Sequence, residues 1–174
     1  AKNPPTYNNL SLNSGVTQLI RSSGAEPGSA EFLMTTRPAS ERVSTQLSIE
    51  LGAPTLVTER VRLANEQRSV FTVDVLPLSL FHTPNEDIPL DEFRKIIEEQ
   101  QSIYGFLRQR LNLEIHHGIA WIRPLSAEEY IADKLQIRVG SNILHIEQVD
   151  FDMNGEPVDL SDEYYVADAF RFYI

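Results

Sequence analysis

The clearest pattern in the chain is an alternation of side chains between residues 55 and 77. On the first arm, one set of alternate positions is mostly apolar and the other carries two positive charges. The apolar set is Thr55, Val57, Val61 and Leu63, with Glu59 as the exception, and the other set is Leu56, Thr58, Arg60 and Arg62. On the return arm, Phe71, Val73 and Val75 alternate with Val70, Thr72 and Asp74. Because successive side chains of a strand point to opposite faces, this pattern predicts a β-hairpin that turns at residues 64–67.

Apolar residues recur at helical spacing in several other segments. Residues 90–97 and 103–111 predict two helices, or one helix that breaks near Ser102. Serines precede three further periodic segments at positions that suit an N-cap, and the last of them opens a capping box with Glu129. These N-cap serines are Ser14, Ser40 and Ser126. Gly24 follows the first helix, where a left-handed residue commonly closes a helix.

The remaining apolar segments alternate or form short runs, which predicts strands at residues 31–37, 113–121 and 143–151. Asn154 and Gly155 then fit a two-residue type I′ turn into the last strands. Strands joined by hairpins and interspersed with helices predict an α+β domain with a central, mainly antiparallel sheet.

Length and composition limit the possible functions. A chain of 174 residues suits one domain with its own core, and 41% hydrophobic with 23% charged residues is typical of globular proteins. The absence of cysteine excludes disulfides, thiolate nucleophiles and cysteine-bound metals. A net charge of −10 opposes binding to nucleic acid by this chain alone. No apolar run predicts a membrane span and the first residues lack a signal-peptide core, so we expect a cytoplasmic protein.

Two clusters suggest metal or acid–base chemistry, and each has a simpler explanation. His116 and His117 are neighbours on a predicted strand, so their imidazoles should face opposite ways and cannot share an ion. Four acidic residues near the C-terminus are best explained as a solvated acidic edge: Asp159, Asp162, Glu163 and Asp168. No spacing typical of a hydrolase, a zinc protease or a P-loop occurs. We therefore predict no catalytic residue, metal or cofactor.

Arg60 and Arg62 form the most informative pair. Two residues apart on a strand, they project from one face at a spacing of about 6.5 Å. Two adjacent cations repel each other unless an anion compensates them. Asp74 or Glu59 could supply that charge within the protein. Alternatively, the pair could form a pocket for a phosphate or carboxylate, whose geometry matches the guanidinium fork. The residues alone do not separate these two explanations.

The segment Thr58 to Glu66, followed by Val75-Leu76-Pro77, resembles the core motif of the UTRA domain. Further parts of the chain agree with that family in order and spacing. They are Val16-Thr17 with Gly24, Pro38-Ala39 with Leu47, Ser102 to Leu107, Ala127 to Leu135 with Gly140 and Leu144, Val149 to Asp152, Gly155 to Asp159, and Tyr165 to Phe172. The resemblance begins at about residue 11, so residues 1–10 are expected to be a linker or tail and residues 11–174 the domain.

UTRA domains are the effector-binding halves of GntR-family transcriptional regulators of the HutC subfamily. The resemblance implies a fold like that of chorismate lyase, a homodimer, and DNA binding through a separate N-terminal winged helix-turn-helix domain that this chain lacks. It also implies allosteric control of operator binding by a small anionic metabolite, most plausibly a phosphorylated sugar.

The resemblance assigns eight effector-binding positions. Arg60 and Arg62 correspond to the anion-binding arginines, and Thr17, Ser102 and Tyr104 correspond to hydroxyl donors to the phosphate. Asp159 and Tyr165 correspond to residues that contact the rest of the ligand. Asp159 stands where many members carry Glu, and Thr72 stands where sugar-phosphate sensors often carry Glu. This second departure leaves the identity of the ligand open.

Two other functions stay open from the sequence. Chorismate lyase shares the fold and also uses pocket arginines, so an enzyme is one alternative. A dimerisation module without a ligand is the other, and it follows if the two arginines merely pair with acidic neighbours.

Overall fold

The computed structural model describes residues 15–100 and 102–167. In chain order its elements are α1 (Gly15–Ser22), β1 (Pro27–Pro38), α2 (Glu41–Leu47), β2 (Pro54–Ala64), β3 (Gln67–Pro77), a 3-10 turn (Leu78–Phe81), α3 (Leu90–Gln100), α4 (Ile103–Leu111), β4 (Ile115–Ser126), α5 (Glu129–Leu135), β5 (Asn142–Asp152) and β6 (Pro157–Val166). The expected tail at residues 1–10, the cap at Ser14 and residues 168–174 lie outside the described part.

All strand pairs in the described residues are antiparallel, and the six strands follow the order β1-β2-β3-β6-β5-β4. The predicted hairpin is β2 and β3, and it places Arg60 opposite Thr72 and Thr58 opposite Asp74. Strand β6 then inserts between β3 and β5, which are distant from each other along the chain. The predicted α+β fold with an antiparallel sheet is therefore confirmed.

Helices cover both faces of the sheet. On the face that carries Arg60 and Arg62, which we call the cleft face, α3 and α4 pack over Leu56 and Leu76, and α1 packs over Val70. Helices α2 and α5 cover the opposite face. The alternation of β2 thus assigns one set of its side chains to each layer.

The predicted helix caps had mixed outcomes. Ser40 caps α2 by accepting from Val43 N–H at 3.3 Å, and α3 and α4 break at Ser102 as expected. The capping box at Ser126 is wrong, because Ser126 still belongs to β4. The N–H of Ala127 donates to the carbonyl of Ser141 at 2.8 Å, and this backbone pairing delays the start of α5 until after Glu128.

The hairpin between β5 and β6 is confirmed, but its type I′ turn is wrong. A type I′ turn needs positive φ at both central residues. Gly155 has φ +79° and Asn154 does not adopt positive φ. The carboxylate of Asp152 organises the turn instead, because its Oδ1 accepts the N–H groups of Asn154 at 2.8 Å and Glu156 at 2.9 Å.

The expected separation of His116 and His117 is also wrong. The register between β4 and β5 shifts after Ile115, and the resulting bulge leaves the two Nδ1 atoms 3.0 Å apart. Among the described residues, no set of three or more His, Asp or Glu side chains is placed to hold a metal ion. None of the described helices is both long and apolar enough to span a membrane.

Candidate functional site: a charged cavity on the cleft face

A cavity of about 30 Å³ lies between the cleft face and the N-terminal ends of α1 and α4. Helix α1 contributes Gly15, Val16 and Thr17, helix α4 with its cap contributes Ser102, Ile103 and Tyr104, and the strands contribute Arg60, Arg62, Asp74, Asp150, Asp159, Ser161 and Glu163. This space holds roughly one or two water molecules. The helix ends therefore close tightly over a polar floor.

The cavity brings the sequence-predicted site residues together. Six of the eight line it directly: Thr17, Arg60, Arg62, Ser102, Tyr104 and Asp159. The other two lie at its border. Thr72 stands opposite both Arg60 and Glu163 in the sheet, and the hydroxyl of Tyr165 donates to Glu163. Whether these residues bind an effector stays a prediction.

The two arginines have different partners. Arg60 Nη2 donates to Asp74 Oδ2 at 3.0 Å, so an internal partner exists for Arg60, as one of the two explanations required. Glu59 lies on the opposite face, where it accepts from Tyr130 and Arg37. Arg62, which is only 1% exposed, donates instead to the neutral Thr17 Oγ1 at 2.8 Å.

Several donors of the arginine pair have no partner. Arg60 Nε, Arg60 Nη1 and Arg62 Nε are buried and make no hydrogen bond, and neither does the hydroxyl of Thr72. Burial, and then the nearby charge of Arg60, lowers the pKa of Arg62 to about 9. Buried donors without acceptors destabilise a folded protein, so a group that brought an acceptor to these atoms would bind favourably.

Two helix N-termini face these donors. Ser102 caps α4 by accepting from Gly105 N–H at 3.1 Å, which leaves its own hydroxyl hydrogen for another acceptor. Thr17 lies in the first turn of α1. The free N–H groups and the dipole of a helix N-terminus favour a negative charge, so both helices add to the field of the arginines.

Acidic residues lie on the same floor, and only Asp74 among them was expected beside the arginines. Asp74, Asp150 and Glu163 join Asp159 around the cavity. Asp150 accepts from the hydroxyl of Tyr104 and from Gln148 Nε2 at 2.7 Å. The expected solvated edge is wrong for the described members of that cluster, because Asp159 and Asp162 are buried and Glu163 is partly buried. Alternate positions on β6 were the available signal, since Asp159, Ser161 and Glu163 share one face.

Two of these carboxyls, those of Asp159 and Glu163, have raised pKa values. Burial, followed by the charges of Asp74 and Asp150, raises the pKa of Asp159 well above its ordinary value. Burial also raises the pKa of Glu163 to about 7, although the hydrogen bond from Tyr165 opposes the shift. Ionised carboxylates are therefore disfavoured at this end of the cavity, because burial and neighbouring carboxylates favour the protonated forms.

Comparison with known proteins bears on the family and the fold of the chain. The sequence model of the UTRA domain matches residues 22–171. An uncharacterised HTH-type transcriptional regulator, YurK of Bacillus subtilis, is 23% identical over 90% of this chain, which spans 61% of the length of YurK.

Two solved structures share the fold. The effector domain of PhnF from Mycobacterium smegmatis has a TM-score of 0.77 at 17% identity, over 97% of this chain and 96% of that one. A GntR-family transcriptional regulator from Enterococcus faecalis has a TM-score of 0.69 at 25% identity, over 86% of this chain and 99% of that one. Because the family match extends over well more than half of the residues, we conclude that the chain belongs to the UTRA domain family.

Proposed function

We propose that this chain is the effector-sensing and dimerisation module of a GntR-family transcriptional regulator of the HutC subfamily. The observation that carries the proposal is the set of buried, unpartnered donors on Arg60, Arg62 and Thr72 beneath two helix N-termini. An anion would satisfy those donors. We favour a phosphorylated sugar, because the assigned residues and the two helix ends resemble a phosphate site. The proposed site consists of Thr17, Arg60, Arg62, Thr72, Ser102, Tyr104, Asp159 and Tyr165.

Ligand binding must open the cavity. Pockets for small molecules commonly enclose about 300–1,000 Å³, far more than the closed cavity offers. The start of α1 and the cap of α4 form its cover, so these two helix ends are the parts that must move apart. In the proposed regulator, a separate winged-helix domain that precedes this chain would bind DNA. Movement of α1 would therefore alter the arrangement of the DNA-binding domains, with a coupling of about 1–3 kcal/mol.

Strand β4 supports the proposal of a dimer. It is an edge strand of the sheet, and four of its large apolar side chains are exposed: Ile119, Trp121 (43% exposed), Ile122 and Leu125. Exposed apolar patches of this kind commonly mark interfaces. The apolar segment Ala167 to Ile174 fits burial in the sheet at least as well as an interface, and its residues 168–174 lie outside the described part of the chain. Sedimentation of the 174-residue chain at tens of micromolar should show a dimer, and a monomer alone would count against it.

The role proposed is binding without turnover, since the relatives that match are transcriptional regulators. A protein with that role acts in the cytoplasm. No 4-hydroxybenzoate should form when the chain is incubated with chorismate.

A ligand screen tests the proposal directly. Phosphorylated sugars and small carboxylates are added to the chain, and its melting temperature is measured. A ligand at about 100 times its Kd stabilises by about 2.7 kcal/mol, which at this size corresponds to roughly 5–11 °C. No shift with any anion would refute the anion pocket. If binders leave operator affinity of the full-length regulator unchanged, the sensor function is wrong although the pocket is right.

A further inference from the structure

The cavity is lined by more carboxyl groups than guanidinium groups. Among the described residues that line it, Asp74, Asp150, Asp159 and Glu163 have carboxyls, whereas Arg60 and Arg62 have guanidiniums. The ion pair between Arg60 and Asp74 is balanced within the protein. Arg62 is then the other guanidinium of the lining, and Asp159 and Glu163 are carboxyls whose pKa values are raised, first by burial. A ligand that brings only negative charge would give these two carboxyls no counter-charge, whereas a ligand cation would stabilise their ionised forms.

The positive and negative groups occupy opposite sides of the cleft face. The strand order places β2, with both arginines, two strands away from β6, and β5 lies beyond β6. Register puts Arg60, Thr72 and Glu163 in one row across the sheet. Asp159 of β6 and Asp150 of β5 stand opposite each other in the strand register, further along the same face. Since neighbouring strands lie about 4.8 Å apart, the basic and acidic sides are separated by roughly 10 Å of backbone.

An acceptor without a donor lies on the acidic side. Asp159 is 2% exposed and its Oδ1 makes no hydrogen bond. On the basic side, the unpartnered atoms of the arginines are donors. The cavity thus requires opposite chemistry at its two ends: an acceptor from the ligand beside β2 and a donor from the ligand beside β6. Burial first, and then the charges of Asp74 and Asp150, raise the pKa of Glu163 to about 7, which agrees with the lack of a counter-charge at the β6 end.

We propose that the effector is a zwitterion, with a phosphate or carboxylate held by Arg62 and Arg60 and an ammonium group held by Asp159 and Glu163. The proposal rests on the proposed function and specifies the ligand class of the same site. An ammonium group has donors and no acceptor, so in one contact it satisfies Asp159 Oδ1 and supplies the counter-charge that stabilises the ionised carboxylates. A neutral hydroxyl satisfies the hydrogen bond without changing the charge.

Matched ligands isolate the ammonium group. Calorimetric titration of the 174-residue chain at pH 7 compares 2-aminoethyl phosphate with ethyl phosphate, and glucosamine 6-phosphate with glucose 6-phosphate. In at least one pair, the amine should bind about tenfold or more tightly than its partner, as expected for a charge-assisted hydrogen bond. The smaller pair tests the site with the least opening of the cavity, and the sugar pair tests it with the class that we favour.

A conservative variant locates the effect. Asp159→Asn keeps the shape of the side chain and removes its charge, so the advantage of the amine should disappear while affinity for the phosphate without an amine stays the same or rises. Glu50→Gln removes the same charge from an exposed loop position outside the cavity. This control should retain the full advantage of the amine, which separates a local contact from the effect of net charge.

Three outcomes overturn different statements. If phosphates bind but the amines bind equally or more weakly, the zwitterion is wrong and the anion site stands. If the amines bind more tightly and Asp159→Asn keeps their advantage, the assignment of the ammonium group to Asp159 is wrong. If none of the four compounds and no other anion of the melting screen binds, the proposed function fails together with the zwitterion.

Discussion

Two buried aspartates of β6 lie on opposite faces of the sheet and have different hydrogen-bond partners. Asp162 lies on the face covered by α2 and α5, and Asp159 lies on the cleft face. His145 Nε2 lies 2.8 Å from one carboxylate oxygen of Asp162, and Arg42 Nη2 donates to the other at 2.6 Å. Burial acts to raise the pKa of Asp162, but these two hydrogen bonds together hold that pKa below its ordinary value. Asp159 has no such cationic partners, and its pKa is raised.

This difference in hydrogen-bond partners separates charged groups that stabilise the fold from charged groups that can bind a ligand. A buried charge that takes part in strong hydrogen bonds destabilises the fold little. A buried charge without them destabilises the fold until a partner binds. On the opposite face, Arg42 further bridges Asp162 and Glu147, so charge is balanced within the protein. On the cleft face, the balance is left incomplete at both the basic and the acidic end.

The largest expected effect is on the balanced face. Asp162→Ala removes both hydrogen bonds and leaves the buried His145 without its carboxylate, while Arg42 keeps only Glu147, which should lower the free energy of unfolding by about 3 kcal/mol. At this chain length, that is a fall in melting temperature of roughly 6–12 °C. Thermal unfolding followed by circular dichroism measures it. Asp159→Asn on the other face should cost little or raise stability, and an equal loss in both variants would contradict the comparison.

Arg62→Met tests whether a buried charge on the cleft face contributes to ligand binding and not to stability. Methionine fills much of the space without a buried charge, so stability should stay the same or rise. Affinity for any anion that binds the wild-type chain should fall by about 1.5–3 kcal/mol, or roughly 10- to 150-fold, because a charge-assisted hydrogen bond is lost. Calorimetric titration and thermal unfolding of the same sample give both values. Lower stability with unchanged affinity would show that Arg62 is structural.

Stability should depend on pH through Glu163. Its folded-state pKa of about 7 lies above the ordinary value near 4.3, so the folded protein binds the proton more tightly than the unfolded chain does. Its stabilising contribution is therefore complete below about pH 4.3 and is lost as the pH rises through 7. Asp74, Asp150, Asp159 and Arg60 face the same group.

Between pH 5 and 7, the wild-type chain should lose about 2 kcal/mol more of its unfolding free energy than Glu163→Gln does. Urea unfolding at several pH values measures the two slopes. Glu163 pairs with Tyr165 through a hydrogen bond, which Gln can also accept, so the variant should fold. Parallel slopes in the two proteins would mean that Glu163 is not protonated in this range.

The smallest effects come from two N-cap serines that serve as a matched pair. Ser102→Ala and Ser40→Ala should each lower stability by about 1 kcal/mol, because each serine caps a helix. The substitution at Ser102 alone should also weaken an anionic ligand, by about 1 kcal/mol, since only Ser102 lines the cavity. Equal effects of the two variants on binding would remove Ser102 from the site.

Local sequence was sufficient for most elements and for the basic half of the site. The alternation of β2 assigned Arg60 and Arg62 to one face, the predicted cap at Ser40 is present, and the helices break near Ser102 as predicted. These features depend on neighbouring residues only. The errors at Ser126 and Asn154 have a common cause, because in each case a contact beyond the local motif decided the backbone: strand pairing past Ser126, and the carboxylate of Asp152 in the turn.

What the sequence by itself determined is the periodicity of each strand and helix, and hence which side chains share a face. Only the tertiary structure decided that β6 lies between β3 and β5, which puts Asp159 and Glu163 two strands from Arg60 and closes two helix ends above them. The physical reason is that pairing between distant strands depends on how both faces of the whole sheet are buried. Burial in turn decides whether a carboxylate is a solvated surface charge or an uncompensated group in a cavity, and the same short acidic sequence is compatible with both.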